Sequence, residues 1–252
     1  MFSIFYDLPD MIKVFIAGII CFLFTSMGAS LILLFKNIKK NALDSINSIA
    51  SGIMLSASIF SLLIPAIKVC SNIYLVLISF ILGGVLIYFG NIITTKFEKK
   101  INSNAQWKRC LLLFTSITIH NIPEGLVVGV AFGGGNILAA ISLTIGIALQ
   151  NFPEGAAISF PLKKQGLSSK KAALLGIASG IVEPIAAIVG YYLVTLVSSI
   201  LPVILSLAAG VMIYVIIVEL IPDSQNGEKK DLMALLSMIG FSFMVFMETI
   251  LG

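Results

Sequence analysis

The sequence predicts an all-α integral membrane protein of eight transmembrane helices, and two observations carry that expectation. Of its 252 residues, 58% are hydrophobic and 11% charged, with a mean hydropathy of +1.08. A soluble domain of this length cannot cover so much apolar surface. Polar punctuation then cuts the chain into eight apolar stretches, near 11–35, 43–66, 72–96, 110–131, 137–160, 172–196, 200–221 and 231–251. Each exceeds the roughly 20 residues a helix needs to cross the hydrocarbon core. The runs are continuous, whereas barrel strands read as short alternating segments. They use most of the chain, so residues 1–252 are expected to form one transmembrane domain with no soluble one.

Span 1 follows Asp7 and Asp10, where a cleavable signal would carry positive charge, so it reads as a retained helix. Lys36, Lys39 and Lys40 close it. Lys96, Lys99, Lys100, Lys108 and Arg109 separate spans 3 and 4. Gly133-Gly134-Gly135-Asn136 joins spans 4 and 5 as a tight antiparallel hairpin. Lys163, Lys164, Lys170 and Lys171 separate spans 5 and 6, and Lys229 and Lys230 separate spans 7 and 8. Fourteen of the 16 basic residues thus fall on one side, with Lys13 and Lys68 on the other. The positive-inside rule makes that side cytoplasmic and both termini extracytoplasmic. The net charge of +4 therefore reflects topology, and no nucleic-acid partner is implied. Cys21, Cys70 and Cys110 follow no metal or disulfide spacing and read as packing residues.

The chemistry concentrates in spans 4 and 5. His120-Asn121-Ile122-Pro123-Glu124-Gly125 recurs as Gln150-Asn151-Phe152-Pro153-Glu154-Gly155. His120 lies about 13 residues before the hairpin turn and Gln150 about 14 after it, so both sit roughly 20 Å below the outer end, near mid-membrane. Residues four apart share a helix face, which aligns His120 with Glu124 and Gln150 with Glu154. Asn121 and Asn151 are turned about 100° away, toward a second, adjacent position. Pro123 and Pro153 cannot donate to the carbonyls of Ile119 and Leu149, so a kink is expected in each helix. Glu183, followed by Pro184, adds a third acid at mid-depth in span 6. All Lys and Arg fall at span ends, leaving Glu124, Glu154 and Glu183 without a basic partner. Such acids bind cations or are protonated. One imidazole, three carboxylates and nearby carbonyls suit a divalent transition metal. Met54, at mid-depth in span 2, offers a soft thioether or simply fills the core. Glu219 and Glu248 read as rim or gate residues.

A fainter echo relates span 2 to span 7. Ser51-Gly52-Ile53-Met54-Leu55 is similar to Ala209-Gly210-Val211-Met212-Ile213, and Leu63-Ile64-Pro65 to Leu220-Ile221-Pro222. Those spans cross in opposite directions, which suggests inverted repeats of spans 1–3 and 6–8 around the central hairpin.

In these residues the chain resembles the ZIP (Zrt/Irt-like protein) family of divalent metal transporters in a prokaryotic form. The paired motif is the most specific element, joined by Val182-Glu183-Pro184, Gly52-Ile53-Met54-Leu55 and Glu219-Leu220-Ile221-Pro222. The resemblance implies a 3+2+3 helix arrangement and uptake of Zn²⁺, with Fe²⁺, Mn²⁺ or Cd²⁺ as further cargo, across the plasma membrane. It implies a binuclear mid-membrane site. One metal would take His120, Glu124, Gln150 and Glu154 with Met54 nearby. The other would take Asn121, Asn151 and Glu183 and share Glu124 and Glu154. It also implies a homodimer in the lipid bilayer, with spans 1, 4, 5 and 6 moving against spans 2, 3, 7 and 8. No prosthetic group and no enzymatic activity are expected. The loop between spans 3 and 4 is short and lacks the His-rich tract of many relatives. Two rivals stand beside this reading. One is a proton or monovalent-cation pathway. The other is an intramembrane hydrolase, which a single His disfavours because metalloprotease sites use paired histidines.

Overall fold

A computed structural model describes residues 7–35, 39–100, 105–196, 198–225 and 229–251. Within these ranges a few side chains, His120 among them, lie outside the description. The described residues form eight membrane-length helical elements and no strand. They are α1 (Asp10–Leu34), α2 (Lys40–Val69), α3 (Ile73–Lys100), α4 (Ala105–Gly133) and α5 (Ile137–Lys164). Next come α6, in two halves (Ser169–Gly180 and Val182–Leu196), and α7 (Leu201–Val215, continued through Ile216–Leu220 and Ile221–Ser224). The last is α8 (Lys230–Leu251). Several helices outrun their apolar stretch at the lysine-rich end. Lys40, Lys163, Lys164, Lys170 and Lys171 are helical, because long cationic side chains let a helix continue into the interface.

Local chemistry sets the turns. The α4–α5 hairpin uses Gly135 at φ +87°, a left-handed conformation that glycine adopts freely. Asn136 then caps α5, its side-chain oxygen accepting from Ala139 N at 3.2 Å. Gly166 (φ +95°) ends α5, and Ser168 caps α6 through Lys171 N.

Within the spans, irregular backbone falls at three places among the described residues. Helical backbone runs unbroken through Pro123 and Pro153. Breaks occur instead at Ile181, three residues before Pro184, and in two π-helical segments, Ala57–Leu63 in α2 and Ile216–Leu220 in α7. Each π segment precedes an Ile-Pro pair, Ile64-Pro65 or Ile221-Pro222. Proline supplies no N–H to the turn before it, and a widened turn absorbs the mismatch.

These two segments occupy the echoed halves of α2 and α7, and the packing repeats the relation. α1 packs on α5 and, as closely, on α6; α4 packs chiefly on α6, while α2 packs on α8 and α3 on α7. Exchanging α1 with α6, α2 with α7, α3 with α8 and α4 with α5 turns α1–α5 into α4–α6 and α2–α8 into α3–α7. Glycines make the close approaches. A Cβ on Gly28 would lie 1.8 Å from Phe152 O, and one on Gly129 1.8 Å from Ala187 O. The echoed Gly52 and Gly210 would meet Ser237 O at 1.9 Å and Phe80 O at 1.9 Å. Backbone contact through small residues is how helices associate without a hydrophobic drive in lipid.

Every such backbone-to-backbone approach joins helices within one of two groups: α1, α4, α5 and α6, or α2, α3, α7 and α8. Between the groups α5 meets α2 and α8, and α4 meets α3 and α7; no described glycine makes such a backbone approach across this border. Gly146 of α5 faces the Met244 thioether of α8, 2.5 Å from where its Cβ would be. α3 and α8 present long exposed apolar faces, including Ile78, Ile81, Met238 and Phe246, suited to lipid.

Candidate metal site

The paired motif places its polar residues where α4, α5 and α6 meet. Asn121, Glu124, Gln150, Asn151 and Glu183 are each at most 1% exposed. They divide into two linked groups. In the first, Gln150 Nε2 donates to Glu124 Oε1 at 2.8 Å. In the second, Glu183 is held from three sides. Asn151 Nδ2 donates to Oε2 at 2.9 Å. Asn121 Nδ2 donates to Oε1 at 3.3 Å and to Ser179 O at 3.1 Å. Thr25 Oγ1 donates to Oε1 at 2.6 Å. Glu183 lies in the first turn of the second half of α6, where the helix N-terminus favours negative charge.

A carboxylate only accepts, so each amide turns its NH₂ toward the acid and its oxygen away. The consequence is visible in the unpartnered atoms. Asn121 Oδ1, Glu124 Oε2, Gln150 Oε1 and Asn151 Oδ1 are buried with no hydrogen-bond partner. Four motif residues thus present a bare oxygen, in a protein where a buried polar atom normally finds a partner.

Glu154 stands apart. It is half-buried and lies within the electrostatic reach of Glu124 and Glu219. Glu219 sits inside the π segment near the end of α7, within electrostatic reach of Glu154. Glu248 does face a mouth. With Ser61, Lys68, Asn136 and Leu143 it lines a cavity of about 600 Å³ at the end carrying the α4–α5 turn. Ser61 donates to its carboxylate, a bond between α2 and α8 and so within one helix group. Met54 is buried in the central apolar cluster with Cys21, Leu143 and Ile147. His120 is helical in backbone, and its side chain lies outside the described residues.

Among the described residues, Lys13 pairs with Asp10 at 3.0 Å, and no Lys or Arg pairs with Glu124, Glu154 or Glu183. Nor do three His, Cys, Asp or Glu side chains there gather closely enough to hold an ion alone. A cation at this place must draw on amide oxygens as well. Thr25 is the member that sequence reasoning missed. Its signal was present: Gly18, Cys21, Thr25, Gly28 and Ala29 form a small-residue face at helical spacing on span 1.

Eight membrane-length helices around an acidic cluster without basic partners define a multi-pass membrane protein built around a polar interior site. The chain belongs to the ZIP family: the family model described as ZIP Zinc transporter matches residues 102–248. The zinc transporter ZIPB of Bordetella bronchiseptica is 32% identical over 249 residues, covering 94% of this chain and 81% of its own. Human zinc transporter ZIP11 is 29% identical over 321 residues, covering 90% and 94%. The zinc transporter GufA of Myxococcus xanthus is 36% identical over 126 residues, half of each chain. These relatives are transporters by name, not enzymes.

Proposed function

We propose that this protein carries divalent transition metal, zinc foremost, across the plasma membrane into the cytoplasm. The four unpartnered oxygens of Asn121, Glu124, Gln150 and Asn151 carry this reading. An acceptor-only, anionic pocket without Lys or Arg is complementary to a cation that brings charge and no hydrogen atoms. Zinc relatives over most of the chain's length support it.

In this reading one ion sits between Glu124, Gln150 and Glu154, with His120 and Met54 completing its surroundings. A second sits between Asn121, Asn151 and Glu183 and shares Glu124 and Glu154. Oxygen-rich donors make the pocket tolerant, so Fe²⁺, Mn²⁺ and Cd²⁺ are further cargo. Glu219, beside Glu154, receives the ion on the lysine-rich side, which we take as cytoplasmic. The two helix groups support alternating access. α1, α4, α5 and α6 are joined by glycine–backbone contacts, as are α2, α3, α7 and α8, and no described glycine makes such a contact across the border between them. The first group then moves as a body against the second, which we assign as the dimerising frame.

Radiolabelled zinc uptake into proteoliposomes tests this. Saturable uptake, competed by Mn²⁺, Fe²⁺ and Cd²⁺, is the expected result. Proton flux independent of added metal, with no uptake of any of the four ions, would favour the proton pathway.

A further inference from the structure

The exchange of α1 with α6 permits a comparison that neither helix offers alone. Shifting α1 by the 158 residues that separate Thr25 from Glu183 sets Gly18 on Gly176 and Ala29 on Ala187. The contacts agree. A Cβ on Gly18 would lie 3.2 Å from Ala187 Cβ, and one on Gly176 2.7 Å from Ala29 Cβ. The motif glycines face these helices in the same manner. Gly125 of α4 would meet Glu183 O at 2.4 Å, and Gly155 of α5 would meet Thr25 O at 2.1 Å. Thr25 therefore occupies on α1 the place that Glu183 occupies on α6. One of the two equivalent places carries an acid, and the hydroxyl at the other reaches across to hold it.

We propose that Thr25 is a positioning residue that latches Glu183 and must release it when an ion reaches the Asn121–Asn151–Glu183 position. The inference rests on the metal-carrier reading above and assigns that position its release mechanism. Three features support it. The hydroxyl is 1% exposed and bonds a fully buried carboxylate at 2.6 Å. The latch sits in a notch kept open by Gly180, whose Cβ would lie 3.1 Å from both Glu183 Oε1 and Thr25 Cβ. A second acceptor, Cys21 O, lies 3.3 Å from the same hydroxyl. When Glu183 turns to an ion, Thr25 swings its single proton to that carbonyl and is not left unpartnered. The latch competes with metal, so it keeps affinity at this position low and release fast.

Equilibrium dialysis with ⁶⁵Zn on purified Thr25→Val, Thr25→Ser and wild type tests the latch, with uptake kinetics on the same preparations. Valine keeps the shape and removes the donor, while serine keeps the donor. We expect the second equivalent of zinc to bind about ten-fold tighter in Thr25→Val, the weight of a hydrogen bond to a charged group. KM and kcat should fall together, and Thr25→Ser should match wild type. Thr25→Ala serves if the valine variant does not fold. In a Glu183→Gln background, substituting Thr25 should change nothing. Unchanged zinc affinity in folded Thr25→Val and Thr25→Ala, or an effect that persists without Glu183, would overturn the latch alone. Wild type that binds no zinc at all would overturn the metal-site reading and the latch with it.

Discussion

At Glu124 the orientation of one neighbouring amide decides what the interior offers. Gln150 gives its NH₂ to one carboxylate oxygen and leaves the other, and its own carbonyl, bare. The same division repeats at Glu183 with Asn121 and Asn151. In the proposed site, protons compete with metal for the Glu124 and Glu183 carboxylates and for His120, since ligands must be deprotonated to bind. Zinc uptake should therefore fall steadily from pH 7 to pH 5. A flat profile, measured as initial rates in proteoliposomes with fixed internal pH, would remove His120 from the ligand set. At this scale most of the buried polar cluster was legible in the sequence. A repeated motif with helical spacing names its own residues, and unpaired acids in apolar runs announce themselves. Thr25 escaped because a lone hydroxyl on an apolar helix has no partner visible in one dimension.

Among the elements, glycine contacts decide which helices belong together. Gly129 lets α4 touch the backbone of α6 at Ala187, and no side-chain rotation can clear space for a methyl against a carbonyl. Gly129→Ala should destabilise the protein by about 1–3 kcal/mol, the usual cost of overpacking. It would be read as a lowered melting temperature in detergent, together with reduced uptake. An unchanged melting temperature would mean that α4 and α6 are not held by backbone contact. The eight elements and the hairpin were legible from hydropathy, because a bilayer imposes helix length directly. The π segments were not. Ile64-Pro65 and Ile221-Pro222 marked their places, but a proline announces a missing hydrogen bond without saying whether the chain kinks, breaks or widens. At Pro123 and Pro153 the helix continues, at Pro184 it breaks nearby, and before Pro65 and Pro222 it widens.

For the whole molecule, the pseudo-twofold and the two helix groups are one fact seen twice. The exchange maps each group onto itself, so each is internally symmetric, and the proposed motion runs along the border between them. Gly146 against Met244 lies on that border, and here the opposing atoms are the end of a flexible side chain. Gly146→Ala should slow transport several-fold while leaving the melting temperature within the small range of a tolerated substitution. Met244→Ala in the same protein should restore the rate. Loss of stability equal to that of Gly129→Ala would mean the border is as fixed as the interiors. The echo between spans 2 and 7 foreshadowed this symmetry from a handful of residues. The grouping of the helices was not legible from those residues, since it depends on which glycine meets which carbonyl.

The central claim is that metal crosses at the paired motif, and uptake of ⁶⁵Zn by proteoliposomes bearing wild type, Glu124→Ala or Glu154→Ala tests it most directly, with folding of each variant checked by gel filtration. Saturable uptake by wild type that disappears in both variants is the expected result. Uptake that survives unchanged in two folded variants would contradict it and place the path elsewhere in the protein.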